Sequence, residues 1–328
     1  MKVVVVGAGA WGTALANLLC QNKNDVTLWG HTPAHIAELQ RTKRNERYLP
    51  GIDLCGSLKF QTDLATAVLG AECAIIAVPS KGLRAVTAQL GDFTGIAVSV
   101  TKGIEFDTGL TMSGVLSQTM PRATACALSG PTLAAEVAKN IPAAIVAANA
   151  DDQIARTIQT LFLAPNLRVY TSNDLLGVEL GGALKNIIAI AAGISDGQGF
   201  GDNTKAGLIT RAIVEIRRLG VARGASAETF NGLSGLGDLI VTCCSKLSRN
   251  RGFGERVGRG EKVPDILASS VSIAEGYPTA RSAYKLARQL NIETPIIDET
   301  YAMLYEGKNL KQALHDLMSR DLKPEDSI

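Results

Sequence analysis

The sequence has no long run of like charge, no CxxC pair and no histidine grouped with cysteines or carboxylates at zinc spacing, and each absence removes a class of function. Its 33 Lys+Arg nearly balance 31 Asp+Glu, so nucleic acid is not an expected partner. The basic groups Arg41, Lys43, Arg44, Arg47 and Arg249, Arg251, Arg256, Arg259 are local, and suit a small phosphorylated ligand as well as a solvated surface. Six cysteines stand at 20, 55, 73, 126, 243 and 244, and only the last two are close. Adjacent residues are poorly placed to bridge, so a reduced, cytoplasmic chain is expected. His31, His35 and His315 lack zinc spacing, and no metal site is expected. There is no internal repeat at solenoid spacing and no low-complexity tract; only the end, from about Lys323, reads as frayed.

At 328 residues the chain exceeds the usual size of one hydrophobic core, and two domains are expected. Its first residues could pass for a secretory signal ending in a lipoprotein-like cysteine. A single lysine is a thin charged region for that, and the glycine spacing has a better explanation. The β-branched run Lys2 to Val6 meets Gly7-Ala8-Gly9-Ala10-Trp11-Gly12, followed by helical periodicity from Thr13 to Gln21. This is the strand, GxGxxG, helix context of a dinucleotide site. Gly7 serves the tight turn, Gly9 the close approach of a pyrophosphate, and Gly12 the packing of helix on strand. The next strand, Asp25 to Trp29, ends in Gly30-His31 instead of the carboxylate that usually selects NAD. NADPH is therefore favoured over NADH, with His31 or a nearby arginine available to a 2′-phosphate.

Further strands are expected at 73–78, 96–100 and 124–128, alternating with helices at 80–90 and 111–119. A strand, helix, strand unit follows at 143–147, 153–163 and 167–170. Such alternation predicts a doubly wound, Rossmann-type, mostly parallel sheet, with ligands at the carboxyl ends of its strands. Those ends carry Pro79-Ser80, Thr101-Lys102-Gly103 and Ser129-Gly130-Pro131-Thr132. After Thr171 the pattern is helical, with helices at 204–219, 250–258, 277–290 and 295–305. The expected domains are thus 1–170, binding the dinucleotide, and 171–328, all-helical and carrying substrate and catalysis.

The helical half opens on Asp174 to Asp196, apolar nearly all round except for Glu179, Lys185 and Asn186. The helix should therefore be buried. Its length suits a membrane span, but the polar groups and internal glycines do not. Burial penalises the charged form of an amine, which makes a lysine at 185 a usable proton donor or acceptor. Glu179 and Asn186 share a face two turns apart, while Lys185 lies about 100° round from Asn186. Downstream, Gly232 to Leu239 is a glycine-rich loop whose Asp238 could either cap the following helix or orient an ammonium. Ser248-Arg249-Asn250-Arg251 precedes a helix and combines hydroxyl, amide and guanidinium donors suited to phosphate.

Taken together, the sequence resembles the NAD(P)-dependent sn-glycerol-3-phosphate dehydrogenases of the bacterial type. The shared stretches are GAGAWGTALA at 7–16, LWGH at 28–31, TKGIE at 101–105, LSGPTLAAEVA at 128–138, ELGGALKNIIAIAAGISDG at 179–197, GLSGLGDLIVTC at 232–243, SRNRGFG at 248–254 and EG at 275–276. The resemblance implies that Lys185 accepts the proton in alcohol oxidation and donates it when dihydroxyacetone phosphate is reduced, with Asp238 orienting it and Lys102 assisting. It implies substrate contacts at Lys102, Gly130, Thr132, Lys185, Asn186, Asp238, Thr242, Ser248, Arg249 and Asn250. It implies cofactor contacts at Trp11, His31, Lys102, Ala134, Arg249, Ile273 and Glu275 besides the three glycines. Some relatives carry serine where Ala10 stands, so no side-chain contact is expected there.

The implied product is sn-glycerol 3-phosphate for glycerophospholipid synthesis, made by a cytoplasmic homodimer without membrane insertion. Two alternatives fit fewer residues. A two-domain hydroxy-acid dehydrogenase of the 3-hydroxyacid or 6-phosphogluconate type would share the plan and the lysine but lack the SRN arrangement. A non-catalytic nucleotide sensor would keep the glycine turn but has no use for Lys185, Asn186 and Asp238 together.

Overall fold

Val3 and Val5 enter one hydrophobic cluster and Val4 and Val6 another, so the first strand is buried on both faces. Successive side chains of a strand point to opposite sides, and a run of valines is what a doubly covered parallel strand requires. The computed structural model describes residues 1–270, 274–322 and 324–325. In it the chain groups into two compact units, one formed by 1–102 and 110–179, the other by 103–109 and the chain from Leu180 onward.

The first unit holds β1 (Lys2–Val6), α1 (Ala10–Gln21), β2 (Asp25–Trp29), α2 (Pro33–Thr42), the hairpin β3 (Arg44–Asn45) and β4 (Leu49–Asp53), β5 (Lys59–Gln61) and α3 (Leu64–Val68). Next come β6 (Cys73–Ile76), α4 (Ser80–Thr87), β7 (Ile96–Ser99), α5 (Met112–Thr119), β8 (Thr124–Ser129), α6 (Ala134–Ala138), β9 (Ala143–Ala148), α7 (Asp152–Phe162) and β10 (Leu167–Ser172). Eight strands form one sheet in the order β10-β9-β8-β7-β6-β1-β2-β5. Every neighbouring pair is parallel except β8 with β9. The link 130–142 between those two contains only the short α6, and it returns the chain antiparallel instead of crossing over. The expectation of a mostly parallel, doubly wound sheet holds.

The helix α8 (Leu175–Gly197) begins where Asp174 accepts from Gly177 N at 2.9 Å, and the division between units falls inside it, between Glu179 and Leu180. The second unit continues with α9 (Asp202–Ala222), α10 (Asp238–Cys244), α11 (Arg249–Gly258), α12 (Val263–Ser269), α13 (Gly276–Gln289), α14 (Pro295–Tyr305) and α15 (Leu310–Met318). A Cβ on Gly193 or Gly197 would run into the backbone of Arg251 or Glu255, and one on Gly254 or Gly258 into the backbone of Ile190 or Ile194. The two helices α8 and α11 thus meet backbone to backbone along a seam of glycines. This close approach brings the Lys185 helix beside the helix that opens with Arg249. Among the described residues α8 alone is long and apolar enough to cross a membrane, and 89% of its most apolar window is buried inside the protein.

One expectation fails. Cys20 on α1 and Cys55 after β4, 35 residues apart, are joined as a disulfide, with their Cα atoms 6.2 Å apart. The all-thiol chain read from cysteine spacing is corrected accordingly: the pairing depends on the hairpin returning to α1, which no local spacing reveals. Cys55 N donates to Asn17 Oδ1 at 2.7 Å, one turn before Cys20, and this seats the second cysteine.

Candidate active site

In the first unit the turn after β1 is enforced by its neighbours. Gly7 has φ +123°, and a Cβ there would stand 2.6 Å from Ala77 O. A Cβ on Gly12 would strike Gly7 O, whereas one on Gly9 would enter open space. Two glycines are therefore required by packing, and the middle one leaves the room that a pyrophosphate needs beside the α1 N-terminus. The turn fits a dinucleotide. Trp11 and Ala134 are half-buried and pack on the same sheet-face core. A Cβ on Gly30 would lie 2.7 Å from Ile36 Cδ1, the end of a flexible side chain, and 3.0 Å from Ala8 Cβ; the strand end carries this glycine and then the exposed His31.

At the carboxyl ends of β7 and β8, Lys102 Nζ donates to Gly130 O at 3.0 Å and Thr132 Oγ1 donates to the same carbonyl at 3.1 Å. Lys102, Gly130 and Thr132 are thus brought together. Glu179, the first polar residue of α8, accepts from Ser113 N at 2.8 Å and from Ser113 Oγ, which fixes it at the start of α5. Burial raises its pKa, opposed by the bonds from Ser113. It takes no part in the lysine site.

In the second unit Lys185 is 5% exposed and Asp238 1%. Lys185 Nζ donates to Asp238 Oδ1 at 2.7 Å and to Thr242 Oγ1 at 2.6 Å. Thr242 in turn donates to Asp238 O, one helical turn back, at 2.6 Å. Asp238 opens α10 after a π-helical turn at Leu233–Gly237. Its carboxylate thus stands as the partner of the Lys185 ammonium, one of the two arrangements open to it in the sequence. Asn186 Oδ1 accepts from Asn250 Nδ2 at 2.9 Å, and Asn250 Oδ1 accepts from Gly276 N at 2.8 Å. These amides tie α8, α11 and α13 together beside the lysine.

Ser248 caps α11 by accepting from Arg251 N at 3.2 Å. Arg249, the first residue of the helix, is exposed over part of its side chain; desolvation of its guanidinium lowers its pKa and the Glu275 charge opposes this. Glu275 immediately precedes α13, and Ile273 lies outside the described residues. A group absent from the sequence-based expectations anchors the same helix. Asp196, at the far end of α8, accepts from Arg251 Nε at 2.6 Å and Lys205 Nζ at 2.7 Å. The signal was present in principle, since an arginine following SRN needs a partner, but its partner is 55 residues away.

An ammonium held by a carboxylate and a hydroxyl can exchange a proton with a substrate oxygen, and a capped helix start with an accessible guanidinium can hold a phosphate. Comparison with known proteins points the same way. Residues 2–155 match the family described as NAD-dependent glycerol-3-phosphate dehydrogenase N-terminus, and residues 174–315 its C-terminus. The glycerol-3-phosphate dehydrogenase [NAD(P)+] of Geobacter metallireducens is 48% identical over 99% of this chain and 98% of its own. A crystal structure of glycerol-3-phosphate dehydrogenase from Coxiella burnetii has a TM-score of 0.93 at 34% identity, covering 97% of this chain and 99% of that one.

Proposed function

The chain belongs to the NAD-dependent glycerol-3-phosphate dehydrogenase family, whose members are NAD(P)-dependent oxidoreductases interconverting dihydroxyacetone phosphate and sn-glycerol 3-phosphate; on that premise we propose that Lys185 is the proton-transfer group. The observation that carries this assignment is Lys185 Nζ held between Asp238 Oδ1 and Thr242 Oγ1 in a buried setting. The reduced nicotinamide, when bound, supplies a hydride to the substrate's carbonyl carbon. Lys185 neutralises the negative charge that develops on the carbonyl oxygen by giving up a proton, and takes one back in the reverse direction. Asp238 and Thr242 fix the direction of the ammonium. Arg249, Ser248 and Asn250 at the start of α11 grip the phosphate and so orient the ketone. Lys102, Gly130 and Thr132 complete the substrate contacts, with Asn186 supporting Asn250.

Gly7, Gly9 and Gly12 receive the pyrophosphate, joined by Trp11, His31, Lys102, Ala134, Arg249, Ile273 and Glu275 as the remaining cofactor contacts. NADPH is preferred, because Gly30-His31 offers no carboxylate at the strand end to repel a 2′-phosphate. Residues 1–170 serve chiefly the cofactor and 171–328 chiefly the substrate and proton transfer, with Lys102, Gly130 and Thr132 reaching the substrate from the first and Arg249 and Glu275 the cofactor from the second. Supply of sn-glycerol 3-phosphate to glycerophospholipid synthesis fits the bacterial type, and a cytoplasmic homodimer is the form in which we propose it acts.

The test is oxidation of NADPH, and separately of NADH, by purified protein with dihydroxyacetone phosphate, followed by loss of the reduced nicotinamide's absorbance. Faster turnover with NADPH is expected. Equal or better use of NADH would remove the preference, and rejection of the phosphorylated ketone in favour of a carboxylate would overturn the substrate assignment.

A further inference from the structure

Asn45 stands on β3, 1% exposed, and its amide reaches back to the glycine turn. Its Nδ2 donates to Ala8 O at 3.1 Å and to Thr13 Oγ1 at 2.7 Å, while its Oδ1 accepts from Tyr48 N at 3.3 Å. Ala8 and Thr13 bracket the stretch Gly9 to Gly12, and Thr13 N donates to Gly9 O at 2.9 Å. One side-chain amide therefore fastens both ends of the turn, and the hairpin that carries it is the clamp. His35 Nε2 lies 3.4 Å from the same Ala8 carbonyl, a longer and weaker contact.

A turn that presents backbone N–H groups to a pyrophosphate binds best when those groups already converge, because no ordering cost is then left for the ligand to meet. An amide is the side chain suited to this position. Its two N–H bonds satisfy two acceptors at once, and its oxygen closes the hairpin at Tyr48. We propose that Asn45 is a positioning residue for the cofactor, holding Gly9 to Gly12 in the shape that receives the pyrophosphate. The proposal rests on the assignment of that turn to the pyrophosphate. Since the pyrophosphate is common to NADH and NADPH, Asn45 governs affinity for both by the same factor and leaves the chemical step alone.

The experiment uses the full-length protein with Asn45→Asp, which keeps the side chain's size and the acceptor for Tyr48 N but turns a donor into an acceptor facing two oxygens. Thr13→Val is the second variant; it deletes one of the acceptors without touching the hairpin. Dissociation constants for NADPH and NADH come from calorimetry, and amide hydrogen exchange at residues 7–12 is followed in the cofactor-free protein. Both constants should rise about tenfold in Asn45→Asp and about threefold in Thr13→Val. Exchange at the turn should quicken in both variants, while kcat at saturating cofactor and KM for dihydroxyacetone phosphate stay within about twofold of wild type. Unchanged affinity in a folded variant, or a loss confined to one cofactor or to kcat, overturns the proposal. If Asn45→Asp does not fold, Thr13→Val decides by the same measures. A wild-type protein that binds neither cofactor would sink the assignment of the turn and this proposal with it, whereas wild-type binding matched by both variants sinks the positioning role alone.

Discussion

Lys185 Nζ lies 2.7 Å from Asp238 Oδ1, with both side chains almost fully buried. Such pairs are costly to desolvate and are often no more stabilising than apolar residues of the same size, so their presence calls for another explanation. Here Thr242 supplies a third member whose hydroxyl is steered by its own bond to Asp238 O, leaving lone-pair density toward the ammonium. The result is a lysine with one direction, near the middle of a mostly apolar, buried helix.

Lys185→Met should therefore bind NADPH as the wild type does and lose turnover by about 10²- to 10⁴-fold, the range typical of general acid–base groups. It should also lose stability, by about 3–5 kcal/mol, because Asp238 is left buried without its partner. Adding Asp238→Asn to that variant should restore much of the stability and none of the turnover. Calorimetric cofactor binding, steady-state kinetics and denaturant midpoints separate the two effects. Wild-type turnover in Lys185→Met would remove the proton-transfer assignment.

Much of this was readable from residues whose meaning is local. β1, β2 and α14 begin and end where Lys2 to Val6, Asp25 to Trp29 and Pro295 to Tyr305 read as elements, because apolar runs bounded by glycine, proline and polar residues mark their own ends. Lys185 stood out because a charge in a buried helix is conspicuous. What escaped depends on the chain coming back on itself. The β3–β4 hairpin was hidden in what read as a basic group, and Asn45 finds its partners 37 and 32 residues earlier. Asp238 reads two ways in the sequence, and its contact with Lys185, 53 residues away, is visible only in the fold.

Glu215 gives a prediction about pH. It is 5% exposed on α9 and accepts from Ile296 N at 2.8 Å and Ile297 N at 3.2 Å at the start of α14. Desolvation pushes its pKa up to about 8 from 4.5, against those two bonds. A raised carboxyl pKa favours folding while the group is protonated in both states, and that contribution declines as pH climbs from 4.5 to about 8. Glu215→Gln, which stays neutral, should lack this decline. Its melting temperature relative to wild type should rise between pH 5 and pH 8, in melts run across about that window. Parallel pH profiles for the two proteins would show that Glu215 does not titrate there.

Glycine-to-alanine changes should carry opposite signs at two helical positions. Gly207 on α9 is exposed with open space where a Cβ would go, so Gly207→Ala should stabilise by about 0.5–1 kcal/mol through helix propensity. Gly254 on α11 has the backbone of Ile190 in that place, so Gly254→Ala should destabilise by about 1–3 kcal/mol despite the same propensity gain. Denaturant midpoints decide both. Because the seam joins α8 to α11, Gly254→Ala should also weaken substrate binding more than cofactor binding, which a KM comparison reads directly.

The cysteines allow a count. Cys73, Cys126 and Cys243 are buried thiols and Cys244 an exposed one, while Cys20 and Cys55 are bonded to each other. Burial pushes Cys126 and Cys243 up to about 12, so almost no thiolate forms there near neutral pH. A thiol reagent added to native protein should accordingly label Cys244 first. Unfolding without reductant should expose four thiols, and reduction should bring the total to all six. Reduction should also loosen the segment after β4 from α1, where Asn17 Oδ1 would remain its neighbouring tie through Cys55 N. Six thiols without reductant would mean that Cys20 and Cys55 stand side by side unbonded in the isolated protein, which is the state a reducing cytoplasm would maintain.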